Sequence, residues 1–149
     1  MKSFFAELLE YNQQMNQQII LAMLQHKDTV SEKSVKLINH ILNAQEMYNA
    51  RLDPALKSYG SWHMRPLSEL EWTNEDLHYH TGKCLEHFDL DIIIPYTTAA
   101  GNQWQHSVQD IIFHIVNHGT YHRGQIATDF RNTGLEPLVT DYVLWKRYQ

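Results

Sequence analysis

Two histidines one helical turn apart are the residues of this sequence whose type and spacing best suit chemistry. They lie in the segment 107–134, SVQDIIFHIVNHGTYHRGQIATDFRNTG, which begins with the capping pair Ser107 and Asp110 and ends at a glycine. These features predict a single long helix. At about 100° per residue, His118 and His122 fall inside the apolar stripe that such a helix turns towards a core.

A buried imidazole must find a partner for each ring nitrogen, since an unpaired buried polar group costs about 1–3 kcal/mol. A metal ion is one such partner, and the spacing of His118 and His122 lets both rings converge on the same cation. His114 lies one turn earlier, at the edge of the stripe. The alternative is that these are core histidines bonded to carbonyl or carboxylate groups, and the short HxxxH pattern is compatible with both interpretations.

A firm zinc-like site needs at least one further ligand. His40, in the segment LINHILNAQ, lies in the middle of a second predicted helix, on the shoulder of its broad apolar arc. Helical periodicity alone does not select it over His26, His78 or His87.

The composition predicts one helical domain spanning residues 1–149. Hydrophobic residues make up 43% of the chain, and six glycines and four prolines leave long uninterrupted stretches for helices. The net charge is −5 with scattered Lys and Arg, which argues against a nucleic-acid partner.

The single cysteine, Cys84, cannot form an internal disulfide and is expected to be a small buried hydrophobe. No signal peptide is recognisable and no apolar run approaches the roughly 18 residues of a membrane span, so we expect a soluble cytoplasmic protein without a membrane partner.

Apolar periodicity predicts four long amphipathic helices. The first runs from Ser3 to about His26. The second runs from about Val30 to Leu52, with Thr29 and Glu32 as a capping box. The third begins near Thr73, with Ser68 as an earlier possible start, and the fourth is the 107–134 helix.

The connecting segments differ in character. Residues 57–66 are expected to be irregular, because glycine and proline flank a tryptophan and a histidine there. Residues 91–106, DIIIPYTTAAGNQWQH, predict a small β-hairpin with Pro95 at an edge. The tail from residue 135 is expected to form a short helical turn. The predicted fold is therefore an all-α four-helix bundle with a β-hairpin between helices three and four, and bundle cores are common places for metal sites.

The motif NHGTYHRGQI, followed by G-x-x-P and T-D-Y, closely resembles the DinB family of the DinB/YfiT-like superfamily. LINHILNAQEMYNARL and IPYTTAAGNQW extend the resemblance over nearly the whole chain. The resemblance implies an up-down-down-up bundle that holds a divalent metal through His40, His118 and His122. The helical wheel and the family agree on two of these ligands, and only the family identifies His40.

A three-histidine site leaves a coordination position open, as in catalytic zinc sites. The expected ion is zinc or nickel, with iron or manganese as alternatives. By analogy with superfamily members, we expect a thiol-dependent S-transferase that joins a low-molecular-weight thiol to a small electrophile. The alternatives are a non-catalytic metal-binding stress or sensor protein, and a structural module whose histidines are ordinary core residues.

Several neighbours are candidates for the pocket or for contacts to the ligands, namely His114, Asn117, Tyr121, Arg123 and Gln125. Arg123 is expected to bind an anionic substrate or, preferably, to form a salt bridge at the bundle surface. Gly119 and Gly124 are expected to permit close packing or access beside the site. The abundance of Trp and Tyr is compatible with a homodimer.

Overall fold

The structure is a computed structural model that describes all residues 1–149. It contains five helices and a two-stranded antiparallel sheet: α1 (Lys2–Gln25), α2 (Glu32–Leu52), α3 (Leu70–His87), β1 (Ile93–Thr97), β2 (Gln103–Ser107), α4 (Val108–Thr133) and α5 (Tyr142–Lys146). The predicted helical bundle with a small hairpin before its last long helix is confirmed. None of the helices combines the length and apolarity needed to cross a membrane.

Two apolar clusters define the direction of the four long helices. One joins the beginnings of α1 and α4 to the ends of α2 and α3, through Phe5, Val108, Leu52 and Cys84. The other joins the ends of α1 and α4 to the beginnings of α2 and α3, through Met23, Phe130, Ile38 and Leu70. Helices α1 and α4 therefore run in one direction and α2 and α3 in the other, which is the up-down-down-up arrangement.

The longest helix, α4, begins and ends as its sequence predicts. The Ser107 side chain accepts a hydrogen bond from the Asp110 amide, and the Asp110 carboxylate accepts one from the Ser107 amide, so the capping box is complete. Gly134 follows the helix with φ of 84°, a left-handed conformation that glycine adopts without steric cost. These local signals set the bounds of the helix that carries two of the candidate ligands.

Two predicted helix starts are wrong. Helix α2 is capped by Ser31, whose hydroxyl accepts from the Ser34 amide, whereas the Thr29 hydroxyl donates to the His26 carbonyl. Helix α3 starts at Leu70 after a single 3₁₀ turn (Leu67–Glu69), and the Thr73 hydroxyl donates to the Glu69 carbonyl at the end of that turn. Ser31 is preferred because its hydroxyl also donates to a carboxylate on α4, an interaction that the local sequence does not reveal.

The hairpin and the C-terminal tail agree with their predictions. Pro95 lies in β1 opposite Gln105, in a sheet whose two strands are both edges. The tail forms α5, capped by Asp141, and packs on α1 through Trp145, whose indole donates to Gln14 at 2.7 Å.

Cys84 is buried in the apolar cluster, as predicted. Burial, reinforced by the nearby negative charge of Asp53, raises the pKa of its thiol to about 11. The thiol is therefore protonated at neutral pH and is a poor nucleophile.

Candidate metal centre

Helices α2 and α4 bring three histidine rings together. One ring nitrogen each from His40, His118 and His122 lies within 4.8 Å of the other two. The ring of His40 lies 4.9 Å from that of His118 and 4.7 Å from that of His122, between centroids. Two nitrogens bound to one tetrahedral zinc ion lie roughly 3.3 Å apart, so the ring nitrogens must approach one another by up to about 1.5 Å to share a cation.

Hydrogen bonds orient two of these rings. Nδ1 of His40 donates to the Ser61 carbonyl oxygen at 2.8 Å, and Nδ1 of His122 donates to Oε1 of Gln125 at 2.7 Å. Because each Nδ1 carries the proton, each Nε2 has a free lone pair. A metal-binding histidine usually donates its other ring N–H to a nearby acceptor, and this hydrogen bond fixes the tautomer and orientation of the ring.

The third ring, that of His118, has a buried nitrogen without a partner in the protein. Its Nε2 is shielded from solvent and makes no hydrogen bond. Burial, followed by the proximity of His122, His40 and His114, lowers the pKa of His118 to about 3, so the imidazole is neutral at physiological pH. An unpaired nitrogen beside two oriented imidazoles is a donor set that fits a divalent cation.

Comparison with known proteins identifies the family of this chain. The sequence profile of the DinB family matches residues 1–149, the whole of the described chain. The chain belongs to the DinB family. A stretch of 39 residues is 46% identical to Protein DinB of Bacillus subtilis (strain 168), and it covers 26% of this chain and 23% of that protein. No solved structure matches the chain.

A loop of this DinB-family chain that the sequence analysis left without a role covers one side of the histidine cluster. The Trp62 ring stacks on the His40 ring at 4.0 Å between centroids and remains 60% exposed. Asn43 of α2 fastens this loop by donating to the carbonyls of Ser61 and His63. The acceptor that orients His40 is the backbone carbonyl of Ser61, and because every residue has such a carbonyl, the sequence does not indicate this contact.

Other predicted neighbours lie around the cluster. The His114 ring lies 5.4 Å from that of His118, and Tyr121 packs its largely exposed ring 4.9 Å from that of His122. His114 and Asn117 line a cavity of about 310 Å³ between α2, α4 and the hairpin. Their participation in binding stays a prediction, since position alone does not test it.

Arg123 is not at the surface, so the expected surface salt bridge is wrong. Its side chain is fully buried, and its guanidinium donates to the side-chain oxygens of Asn12 at 2.7 Å and Asn16 at 2.8 Å on α1. The absence of a side chain at Gly119 makes room for this network, because a Cβ there would lie 2.5 Å from Asn12 Oδ1. Gly124 has open space around its Cα, so nothing in the packing requires glycine there.

Proposed function

We propose that this chain binds a divalent metal ion through His40, His118 and His122 and catalyses the transfer of a low-molecular-weight thiol to a small electrophile. The observation that carries the metal proposal is the free Nε2 atom on each ring, two of them freed by hydrogen bonds at Nδ1 and the third buried without a partner. The chemistry of three imidazoles favours zinc or nickel, with iron or manganese as alternatives.

Three protein ligands leave a coordination position for a substrate. A divalent ion held there would supply Lewis acidity that lowers the pKa of a coordinated thiol. In the reaction, the sulfur forms a bond to the electrophilic carbon, the bond from that carbon to its leaving group breaks, and the thiol proton passes to solvent.

The chain's own residues position and shield this chemistry. Ser61 and Gln125 hold two ligand rings in fixed orientations, and Trp62 covers one face of His40. Cys84 belongs to the apolar cluster and is absent from the histidine cluster, so the reacting thiol in this proposal comes from the substrate.

Metal content tests the first part of the proposal. Protein purified without an affinity tag is analysed for metals before and after reconstitution, as wild type and as His40→Ala, His118→Ala and His122→Ala. His87→Ala is the matched control because this histidine is exposed at the end of α3. We expect about one ion per chain in wild type and control, and loss of that ion in each ligand variant. Wild-type protein that stays free of metal after reconstitution would refute the proposal.

Consumption of an electrophile tests the second part. The metal-loaded protein is mixed with cysteine and an activated aryl chloride, and release of chloride is followed. We expect turnover that needs both the thiol and the bound metal, and that is lost in His118→Ala. Stoichiometric metal without turnover across a panel of thiols and electrophiles would favour the non-catalytic stress or sensor function.

We also propose that the protein is a homodimer. Large aromatic side chains are exposed on the bundle, including Phe4, Trp72 and Phe113, and aromatic residues are enriched in protein interfaces. Light scattering coupled to size-exclusion chromatography checks this proposal, and a mass equal to that of one chain at all concentrations would refute it.

A further inference from the structure

Arg51, in the last turn of α2, is a fixed positive charge without an acidic partner. None of the ion pairs in the chain includes it, whereas Arg65 pairs with Glu46. Its Nη1 is buried and makes no hydrogen bond. Folding has therefore removed part of this guanidinium from water without supplying an acceptor in return, and such an arrangement is costly unless a ligand supplies one.

Two aromatic rings hold the guanidinium in place. Its central carbon lies 4.2 Å from the centroid of the Tyr48 ring and 4.0 Å from that of Tyr96. Tyr48 lies on α2 and Tyr96 on β1, so the stack joins the bundle to the hairpin. A planar guanidinium with restricted rotation loses little entropy when it binds a planar carboxylate, which makes this arrangement suited to anion recognition.

The same two rings line the cavity of about 310 Å³, whose wall also includes His114, and the His114 ring lies 5.4 Å from that of His118. Phe113 and Asn117 of α4 line it as well. Asp110 is its one acidic side chain, and that carboxylate already accepts the amide and hydroxyl hydrogens of Ser107. The cavity volume is at the lower end of the range of small-molecule sites, and four of its eight lining residues, His106, Asp110, His114 and Asn117, are polar.

We infer that Arg51, clamped between Tyr48 and Tyr96, binds a carboxylate group of the small molecule that reacts at the three-histidine centre. The statement that the molecule reacts at the three-histidine centre rests on the proposed function, whereas the binding of its carboxylate by Arg51 does not depend on it. Arg51 lies three helical turns beyond His40, roughly 16 Å along α2. The substrate is therefore an elongated molecule with a carboxylate at one end and its reacting atom at the other.

Benzoate is a suitable probe because it presents a carboxylate on a flat apolar body, and benzamide is its neutral counterpart. Both are titrated into wild-type protein freed of metal with a chelator, and amide chemical shifts are followed by NMR. We expect saturable benzoate binding, with the largest shifts near Tyr48, Tyr96 and His114. Benzamide should bind at least about tenfold more weakly, the loss expected for a charge-assisted hydrogen bond.

Variants assign the binding to the guanidinium. Arg51→Met removes the charge at similar length and should weaken benzoate binding by about tenfold or more, with Arg51→Lys intermediate. The matched control is Arg131→Met, at an exposed position in the last turn of α4, which should bind benzoate as wild type does. Equal affinities for benzoate and benzamide, unchanged binding by Arg51→Met, or shifts confined to another part of the chain would each overturn the inference. If Arg51→Met does not fold, the wild-type comparison of the two probes and the Arg51→Lys variant decide the matter.

Metal content separates this inference from the proposed function. Loss of benzoate binding in Arg51→Met with full metal content supports a carboxylate site distinct from the metal ligands. Benzoate binding by wild-type protein that cannot be loaded with metal would refute the proposed function and leave the carboxylate site in place. Full metal loading without benzoate binding would refute the carboxylate site alone.

Discussion

The two glycines of α4 should respond to alanine substitution with opposite signs. Gly119 and Gly124 lie in the same helix, five residues apart. A Cβ at Gly119 would lie 2.5 Å from Asn12 Oδ1 and 2.8 Å from Arg123 Nη1, whereas a Cβ at Gly124 would have nothing within 4 Å. The pair therefore separates helix propensity from packing against α1.

The expected magnitudes follow from these contacts. Alanine at Gly124 should stabilise the protein by about 1 kcal/mol, the usual difference in helix propensity. Alanine at Gly119 has the same advantage, but overpacking costs about 1–3 kcal/mol. Displacing Asn12 also weakens its hydrogen bond to the buried guanidinium of Arg123, which is worth about 1.5–3 kcal/mol. If about half of that hydrogen-bond energy is lost, the net result at Gly119 is a loss of about 1–3 kcal/mol.

Urea unfolding followed by far-UV circular dichroism measures both free energies of unfolding. The Asn12→Ala background supplies a further control, because removing the Asn12 side chain should reduce the cost of Gly119→Ala. If Gly119→Ala is as stable as Gly124→Ala, the buried contact between α1 and α4 is not the constraint that the geometry indicates, and the reasoning is refuted.

Three further results are expected. The hydroxyl groups of Ser31 and Ser34 donate hydrogen bonds to the Asp129 carboxylate, and these bonds, that of Ser31 first, lower its pKa. The contribution of this carboxylate to the free energy of unfolding is therefore complete above the unfolded-state pKa of about 3.9, and it is lost as the pH falls through the folded-state pKa. Asp129→Asn should therefore cost about 1–3 kcal/mol at pH 7, and urea unfolding should show this difference shrinking in acid; a difference independent of pH would contradict the assignment. Asn43→Ala, which releases the loop carbonyls on the His40 side, should weaken metal binding by about 10–100-fold in competition with a chelator, and unchanged affinity would show that this loop does not position the ligand. Cys84 should react with a thiol reagent only after unfolding, as checked by mass spectrometry, and rapid labelling of the native protein would contradict its burial.

Local patterns in the sequence were sufficient to predict α4 and the relation of two candidate ligands to each other. Helical periodicity placed His118 and His122 on one face, and the bounds of α4 followed from its capping box and terminal glycine. Both depend on contacts within a few residues, which sequence spacing describes directly.

Residues that depend on distant partners were harder to predict. Ser31 caps α2 in place of Thr29 because it also reaches Asp129, which is 98 residues away. Arg123 is buried because Asn12 and Asn16 of α1 accept its hydrogen bonds, and nothing in the sequence around Arg123 indicates those acceptors.

The candidate site shows the same division. The spacing within α4 determines that two imidazoles face one point, because the geometry of a helix is local. Which of the chain's ten histidines completes the cluster depends on how α2 packs against α4, and family resemblance was needed to identify His40 from the sequence. Tertiary structure alone brought the Ser61 carbonyl to His40 and placed Arg51 between rings from α2 and the hairpin, because these contacts join segments whose relative positions are set by packing of the whole bundle.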